Sequence, residues 1–242
     1  RSKNMNLKKE QFLPAITTLS ALFKVEGSFW RDKVKEIDEL NLERVALFPT
    51  CLDKNQRQEM YSLLEKTNLK EISLVHLRSD MPLEELEYLI KKFKTQVFNI
   101  HTEKQWPLAY DLSKYNKIIF VENAGNELQE EEIKNFGGIC LDSSHLENDR
   151  ILYPQRFKNQ EVLLFKYKIG CNHIAAILKE KQLTEDGSKE SFDRHYFKDL
   201  SEFDYLKNYP KGFFSQFCAI EVENSLREQL RAIDYITNIL SF

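Results

Sequence analysis

An alternation is the feature that most constrains this chain. Eight apolar runs, most rich in β-branched residues, fall at Phe12–Phe23, Arg44–Phe48, Ile72–His76, Val97–His101, Ile118–Glu122, Gly138–Asp142, Val162–Gly170 and Phe217–Val222. Charged stretches with apolar residues at helical spacing lie between them: Trp30–Leu40, Asn55–Lys66, Leu83–Phe93, Leu108–Tyr115, Glu130–Asn135 and Leu146–Phe157. A last helix is predicted over Ser225–Leu240, with Leu226, Leu230, Ile233 and Leu240 on one face and Ile236 at its flank. Pro82 before Leu83-Glu84-Glu85 marks one helix start, and Ser225 with Glu228 has the form of a capping box. Strands that alternate with helices imply βα units, a parallel sheet and right-handed crossovers.

Eight such units in 242 residues predict an α/β fold, a (β/α)8 TIM barrel with outer helices, whose usual size is about 250 residues. A doubly wound open sheet would carry a glycine-rich turn after its first strand, but the chain has seven glycines and no G-x-G-x-x-G. The barrel is expected to occupy 1–242 as a single domain, with the polar residues 1–10 as a flexible N-terminal segment and Met5 as the native start. The segment Ile174–Gln216 is too long for an ordinary connection and is expected to be a functional loop at the barrel mouth.

Composition removes several function classes. A net charge of −3 and a pI near 6.1 give no electrostatic case for nucleic acid, although bound metal ions would add positive charge. No run of about 18 apolar residues occurs, so no membrane association is expected. Four cysteines form no C-x-x-C pair and read as buried thiols of a reducing compartment, which makes a cytoplasmic location the expectation. No G-x-S-x-G elbow and no phosphate-binding P-loop is present.

The polar residues at the ends of the runs point to metal. All five histidines, His76, His101, His145, His173 and His195, sit just past an apolar run or in a loop soon after one, and none falls in an expected surface helix. Glu122, Asp142 and Glu221 lie inside or beside apolar runs, where an unpaired carboxylate costs several kcal/mol, so each needs a cation or donors. A lone histidine at a strand end is ordinarily a satisfied polar group. Its recurrence along the chain argues otherwise, because imidazole and carboxylate are the ligands of catalytic transition metals and a parallel barrel gathers strand ends on one face.

Three segments carry a family resemblance: Glu122-Asn123-Ala124-Gly125, Cys140-Leu141-Asp142-Ser143-Ser144-His145 and Asp193-Arg194-His195. Together they resemble the endonuclease IV family of abasic-site (AP) endonucleases, within the wider xylose isomerase-like barrel superfamily. The resemblance implies up to three zinc ions, with manganese as the alternative, and no organic cofactor. His76, His101 and Glu122 would hold the first ion. Glu122 would bridge to a second, held by Asp142, His173 and Glu221, and His145, Asp193 and His195 would hold the third. Glu223 is the substitute for Glu221, which is preferred because an asparagine, Asn224, follows it three residues on. The implied reaction is hydrolysis of a phosphodiester, damaged DNA included, by a metal-bound hydroxide, with Glu122 and Glu221 as the catalytic carboxylates.

The chain departs from the family at its DNA-handling positions. Leu146-Glu147-Asn148-Asp149-Arg150 replaces a glycine-tyrosine-aspartate sequence, Ala175 and Ala176 replace asparagine and aspartate, and Leu77-Arg78-Ser79 replaces an intercalating aromatic. Lys54-Asn55-Gln56-Arg57-Gln58 resembles the family's DNA-probing loop. The alternative is a sugar isomerase or epimerase of the same superfamily, with a sugar substrate and one divalent metal on Glu122, Asp142, His173 and Glu221. Its two glutamates would move a proton beside a carbonyl. That chemistry needs neither Asp193 nor His195.

Overall fold

The computed structural model describes residues 7–125 and 127–241. Most of the expected N-terminal flexible segment, including Met5, lies outside the described residues, and Lys9–Gln11 form a single 3-10 turn leading into the first strand. Eight strands close a barrel: β1 (Phe12–Thr17), β2 (Arg44–Phe48), β3 (Glu71–His76), β4 (Val97–Ile100), β5 (Ile119–Glu122), β6 (Ile139–Asp142), β7 (Ile169–Ile174) and β10 (Cys218–Ile220). All eight pairings around the ring are parallel, and β1 meets β10 to close it. Helices α1 (Trp30–Glu39), α2 (Lys54–Leu64), α3 (Leu83–Phe93), α4 (Glu130–Asn135), α5 (Ser143–Leu152), α6 (Pro154–Lys166) and α7 (Leu226–Leu240) occupy the connections. This is the α/β barrel that the alternation predicts. No helix among the described residues is long and apolar enough to cross a membrane.

Strand parity sorts the side chains. Leu13, Ala15, Ala46, Phe48, Leu74, Val97, Phe120, Cys140, Cys171 and Ala219 form one buried cluster inside the barrel. Two residues further along the same faces stand His76, Asn99, Glu122, Asp142, His173 and Glu221. The interior is therefore apolar below and polar at the C-terminal mouth. One fit is tight: a Cβ on Gly170, at a register shift between β6 and β7, would stand 2.0 Å from the Phe120 ring, so only glycine leaves that ring its place.

Four expectations need correction. The run Val162–Gly170 is not a strand; α6 continues to Lys166 and β7 begins at Ile169. Short apolar runs are ambiguous between helix and strand, and here Leu164 faces inward while Val162 and Phe165 face solvent. The helix expected at Leu146–Phe157 is two helices, because Asp142 caps α5 early and Pro154, lacking an N–H, starts α6. Leu108–Tyr115 is not an α-helix: Asp111 draws the Ser113 N–H to its own side chain (2.9 Å), and only a 3-10 helix, Ser113–Ile118, follows. The long loop Ile174–Gln216 contains an antiparallel hairpin, β8 (Ala176–Leu183) with β9 (Glu190–Arg194), then a 3-10 helix at Leu200–Asn208.

Helix α7 is capped by Ser225 and Glu228 as expected, but its inner face also carries Ile236 and the fully buried Gln229, while Leu230 stands at the flank. The amide of Gln229 accepts from the Ala15 N–H (2.6 Å) and donates to the Ala15, Val222 and Asn224 carbonyls (3.0, 3.1 and 2.9 Å). It thereby ties β1 to the chain leaving β10. Gln229→Met should orphan these backbone groups, at about 1–3 kcal/mol for each group left buried and unpaired, and lower the unfolding free energy by at least about 2 kcal/mol in denaturant titration. A loss below about 0.5 kcal/mol would mean that the seam does not depend on this amide.

Candidate metal centre

The barrel mouth gathers all nine residues named from the sequence. His76 ends β3, Glu122 ends β5, Asp142 ends β6, His173 lies in β7, and His101 and Glu221 follow β4 and β10 directly. His145 corrects an expectation, because it sits in the first turn of a helix, α5. Asp142 is the reason: its Oδ1 accepts the His145 N–H at 2.8 Å, so one carboxylate both starts the helix and aims the imidazole back at the mouth. Asp193 lies in β9 and His195 just past it, so both come from the hairpin.

The donor atoms form three connected groups. In each of His76–His101–Glu122, Asp142–His173–Glu221 and His145–Asp193–His195, one N or O atom per residue lies within 4.8 Å of the others. Glu122 Oε2 stands 3.0 Å from His76 Nε2 and 3.3 Å from His173 Nδ1, while its Oε1 lies 3.8 Å from His145 Nδ1. Glu221 spans in the same way, with Oε2 3.0 Å from His173 Nδ1 and Oε1 3.8 Å from His195 Nε2. His145 Nε2 lies 3.3 Å from Asp193 Oδ2. Glu223, the substitute, turns away; it is fully buried, ion-paired with Lys33 (3.8 Å), and accepts the Leu19 and Ser20 N–H groups.

Neighbouring groups set the ring orientations. The Nδ1–H of His76 donates to the Leu77 carbonyl (3.0 Å), which turns Nε2 toward Glu122 (3.0 Å). Asn99 Oδ1 accepts His173 Nε2–H (3.1 Å) while its amide donates to Glu122 Oε2 (2.8 Å), so His173 turns Nδ1 to the carboxylates. The Phe48 ring stands edge-on to His173 at 4.7 Å. Beyond the hairpin, Asn148 accepts from Ser191 Oγ and the Phe192 N–H (both 3.0 Å), and Ser191 Oγ accepts the Asp193 N–H (3.1 Å). The Glu185 carboxylate stands 3.4 Å from His195 Nδ1. Asn99, Asn148 and Glu185 were not singled out from the sequence. Only Asn99, two residues before His101 on the same strand face, carried a signal there.

Within the cluster the carboxylates and imidazoles shift one another strongly. Burial alone would raise the Glu122 carboxyl, but His173 and His101 hold it well below the ordinary range. Burial pushes Asp142 up to about 6. Burial would lower His145, yet the Asp142 and Asp193 carboxylates raise it to about 10, and Glu122 with Glu221 likewise outweighs burial to raise His173 well above normal. His101 is the exception, lowered to about 4 by burial. Among the described residues nine buried side-chain N or O atoms lack a hydrogen-bond partner, and six belong here: Asp142 Oδ2, His145 Nδ1, His173 Nδ1, Asp193 Oδ1, His195 Nδ1 and Glu221 Oε2. Buried polar atoms are almost always paired, so six orphans at one point fit divalent cations. The donors are imidazole and carboxylate, which suit zinc or manganese.

No family model matches the chain, and no curated protein matches it in sequence. Among solved structures the backbone is similar to that of a protein provisionally described as a xylose isomerase from Rhodospirillum rubrum ATCC 11170. The identity is 10% over 86% of this chain and 93% of that one, with a TM-score of 0.49, a likeness of fold alone.

Because the carboxylates hold His145 and His173 protonated near neutrality, a metal taking a ring nitrogen of each must displace protons. Zinc titrated into chelator-stripped protein should release at least about one proton per chain, and affinity should rise with pH. Calorimetry in buffers of different ionisation enthalpy measures the release; identical heats would refute this electrostatic account.

Proposed function

We propose that the chain is a metal-dependent phosphodiester hydrolase, with chemistry of the kind used by abasic-site endonucleases. The observation that carries this reading is the third group, His145–Asp193–His195, joined to the other two through Glu122 and Glu221. A one-metal isomerase has no use for it. Zinc or manganese bound at these positions would neutralise charge on a phosphoryl group and lower the pKa of a water. His76, His101 and Glu122 would hold one ion, Asp142, His173 and Glu221 a second, and His145, Asp193 and His195 a third.

The chain's own residues do the rest. Glu122 and Glu221 each present one oxygen to either side, so they bind and orient across neighbouring groups. Asn99 fixes Glu122 Oε2 and His173 together, and Glu185 steadies His195. The apolar layer of Phe48, Phe120 and Cys140 beneath keeps water from the carboxylates on that side.

A sugar isomerase or epimerase is the second reading, and one feature favours it: Glu122 and Glu221 both face His173 Nδ1, at 3.3 and 3.0 Å, as a pair of proton-handling glutamates around one ion would. Metal analysis with activity separates the two. The hydrolase reading expects about three metals per chain and turnover of bis(4-nitrophenyl) phosphate. Asp193→Ala and His195→Ala should each remove about one metal and cut hydrolysis by about 100-fold or more. One metal per chain, insensitivity to both substitutions and turnover of a ketose would overturn it.

A further inference from the structure

Two recesses flank the metal-site residues, and their chemistries differ. On the His195 side a cleft of about 770 Å³ mixes Lys24, Lys179, Arg194 and Lys198 with Glu26 and Glu180. On the His76 and His101 side a recess of about 340 Å³ is walled by Leu22, Phe23, Leu77, Ile100, Trp106 and Leu108. Leu22 and Trp106 are 65% and 56% exposed, so an apolar chain and an indole stand open to a ligand at its rim. Arg78, the one Lys or Arg among the described residues that line this recess, is engaged: it pairs with Asp80 (2.9 Å) and donates to the Thr50 carbonyl (2.6 Å).

We propose that this recess is a substrate subsite for an uncharged aromatic group esterified to the phosphate, so that the natural substrate is a small aryl- or base-bearing phosphodiester. The inference rests on the hydrolase reading and narrows its substrate class. Four observations on the molecule support it. First, the recess opens on His76 and His101, so an ester whose phosphorus lies at the cluster extends directly into it. Its volume falls at the low end for ligand pockets, which run from about 300 Å³, and suits one ring system. An exposed indole offers a stacking face that tolerates any flat π-system. Finally, no free Lys or Arg among the described residues lines the recess, so the anionic part of the ligand belongs at the metals and the neutral part belongs here.

Duplex DNA fits the same surface poorly. Specific duplex binding buries about 1,000 Å² or more and needs a basic face, whereas this chain has a formal charge of −3. Arg57, in the segment that resembles a DNA-probing loop, is fully buried; it pairs with Glu85 (2.7 Å) and donates to the Leu52 carbonyl (3.1 Å). It is a structural residue of α2 and cannot reach a groove.

The test keeps the leaving group constant. Zinc-loaded protein is assayed on 4-nitrophenyl phosphodiesters whose second ester is methyl, phenyl or 1-naphthyl, with an abasic duplex as competitor. The expected kcat/KM rises about tenfold or more from methyl to naphthyl; Trp106→Ala flattens the series, and Trp106→Phe restores part of it. Calorimetric binding of methylphosphonate and 1-naphthylmethylphosphonate gives an independent readout. If no phosphodiester is cleaved, the hydrolase reading fails, yet a naphthyl preference in binding that Trp106→Ala removes would still support the subsite. A flat series with intact hydrolysis, or a preference for the abasic duplex over every small ester, would overturn the subsite and leave the hydrolase standing.

Discussion

The burial of Glu122 organises the barrel mouth. A carboxylate removed from water must be met by positive charge or by donors, and the deficit is several kcal/mol when it is not. Four imidazoles and the Asn99 amide converge on Glu122, and Asp142, 0% exposed, stands beside it. Each added carboxylate draws another imidazole, and each imidazole brings a second nitrogen that needs its own partner. The Leu77 carbonyl and Asn99 answer those needs for His76 and His173. What they leave unanswered is a set of lone pairs and ring nitrogens pointing at common centres, which is the arrangement a cation completes.

Closed parallel strands make such a concentration tolerable. Alternation along each strand puts one residue in two inside the barrel, and the step between interior residues is about 6.6 Å. One step is enough to pass from Phe120 to Glu122, from Cys140 to Asp142 and from Cys171 to His173. The apolar layer supplies the core, and the polar layer above it is held by strands whose hydrogen bonds are satisfied on both sides. Gln229 protects the seam at which this ring could open.

Much of this was legible in the sequence because barrels and metal sites both write themselves in short periods. All eight barrel strands fall within or overlap their expected runs, although β7 shares only Ile169 and Gly170 with its own, and the ligand types stand at strand ends where the chain has few other uses for them. The misreadings share a cause. At Val162–Lys166 an apolar run could serve either period, and packing decided for helix. At Leu108–Tyr115 a local Asp111 turn outcompeted helix formation. Glu221 and Glu223 are indistinguishable by parity; Lys33, whose position facing the barrel end depends on how α1 packs, takes Glu223 and frees Glu221. Positioning groups such as Asn148 and Glu185 are invisible to any local pattern, because their partners lie 43 and 10 residues away along a hairpin whose fold the sequence did not announce.

The third donor group differs in kind from the other two. Strand ends of the barrel supply the first two, so their geometry is as rigid as the sheet. Asp193 and His195 hang from β9, outside the ring, and must be held by other means. Asn148 reaches from α5 to fix the backbone before Asp193. On the far side the Glu223 N–H donates to the His195 carbonyl at 2.6 Å, and the Asn224 side chain pairs with both backbone groups of Phe197 at 3.0 Å. The asparagine three residues after Glu221 thus acquires a physical role, because it staples the end of the hairpin to the end of β10 and so sets His195 opposite Glu221. Through that staple the hairpin can be part of the site without being part of the barrel, and the third donor group is held in place by two asparagines that belong to none of the three groups.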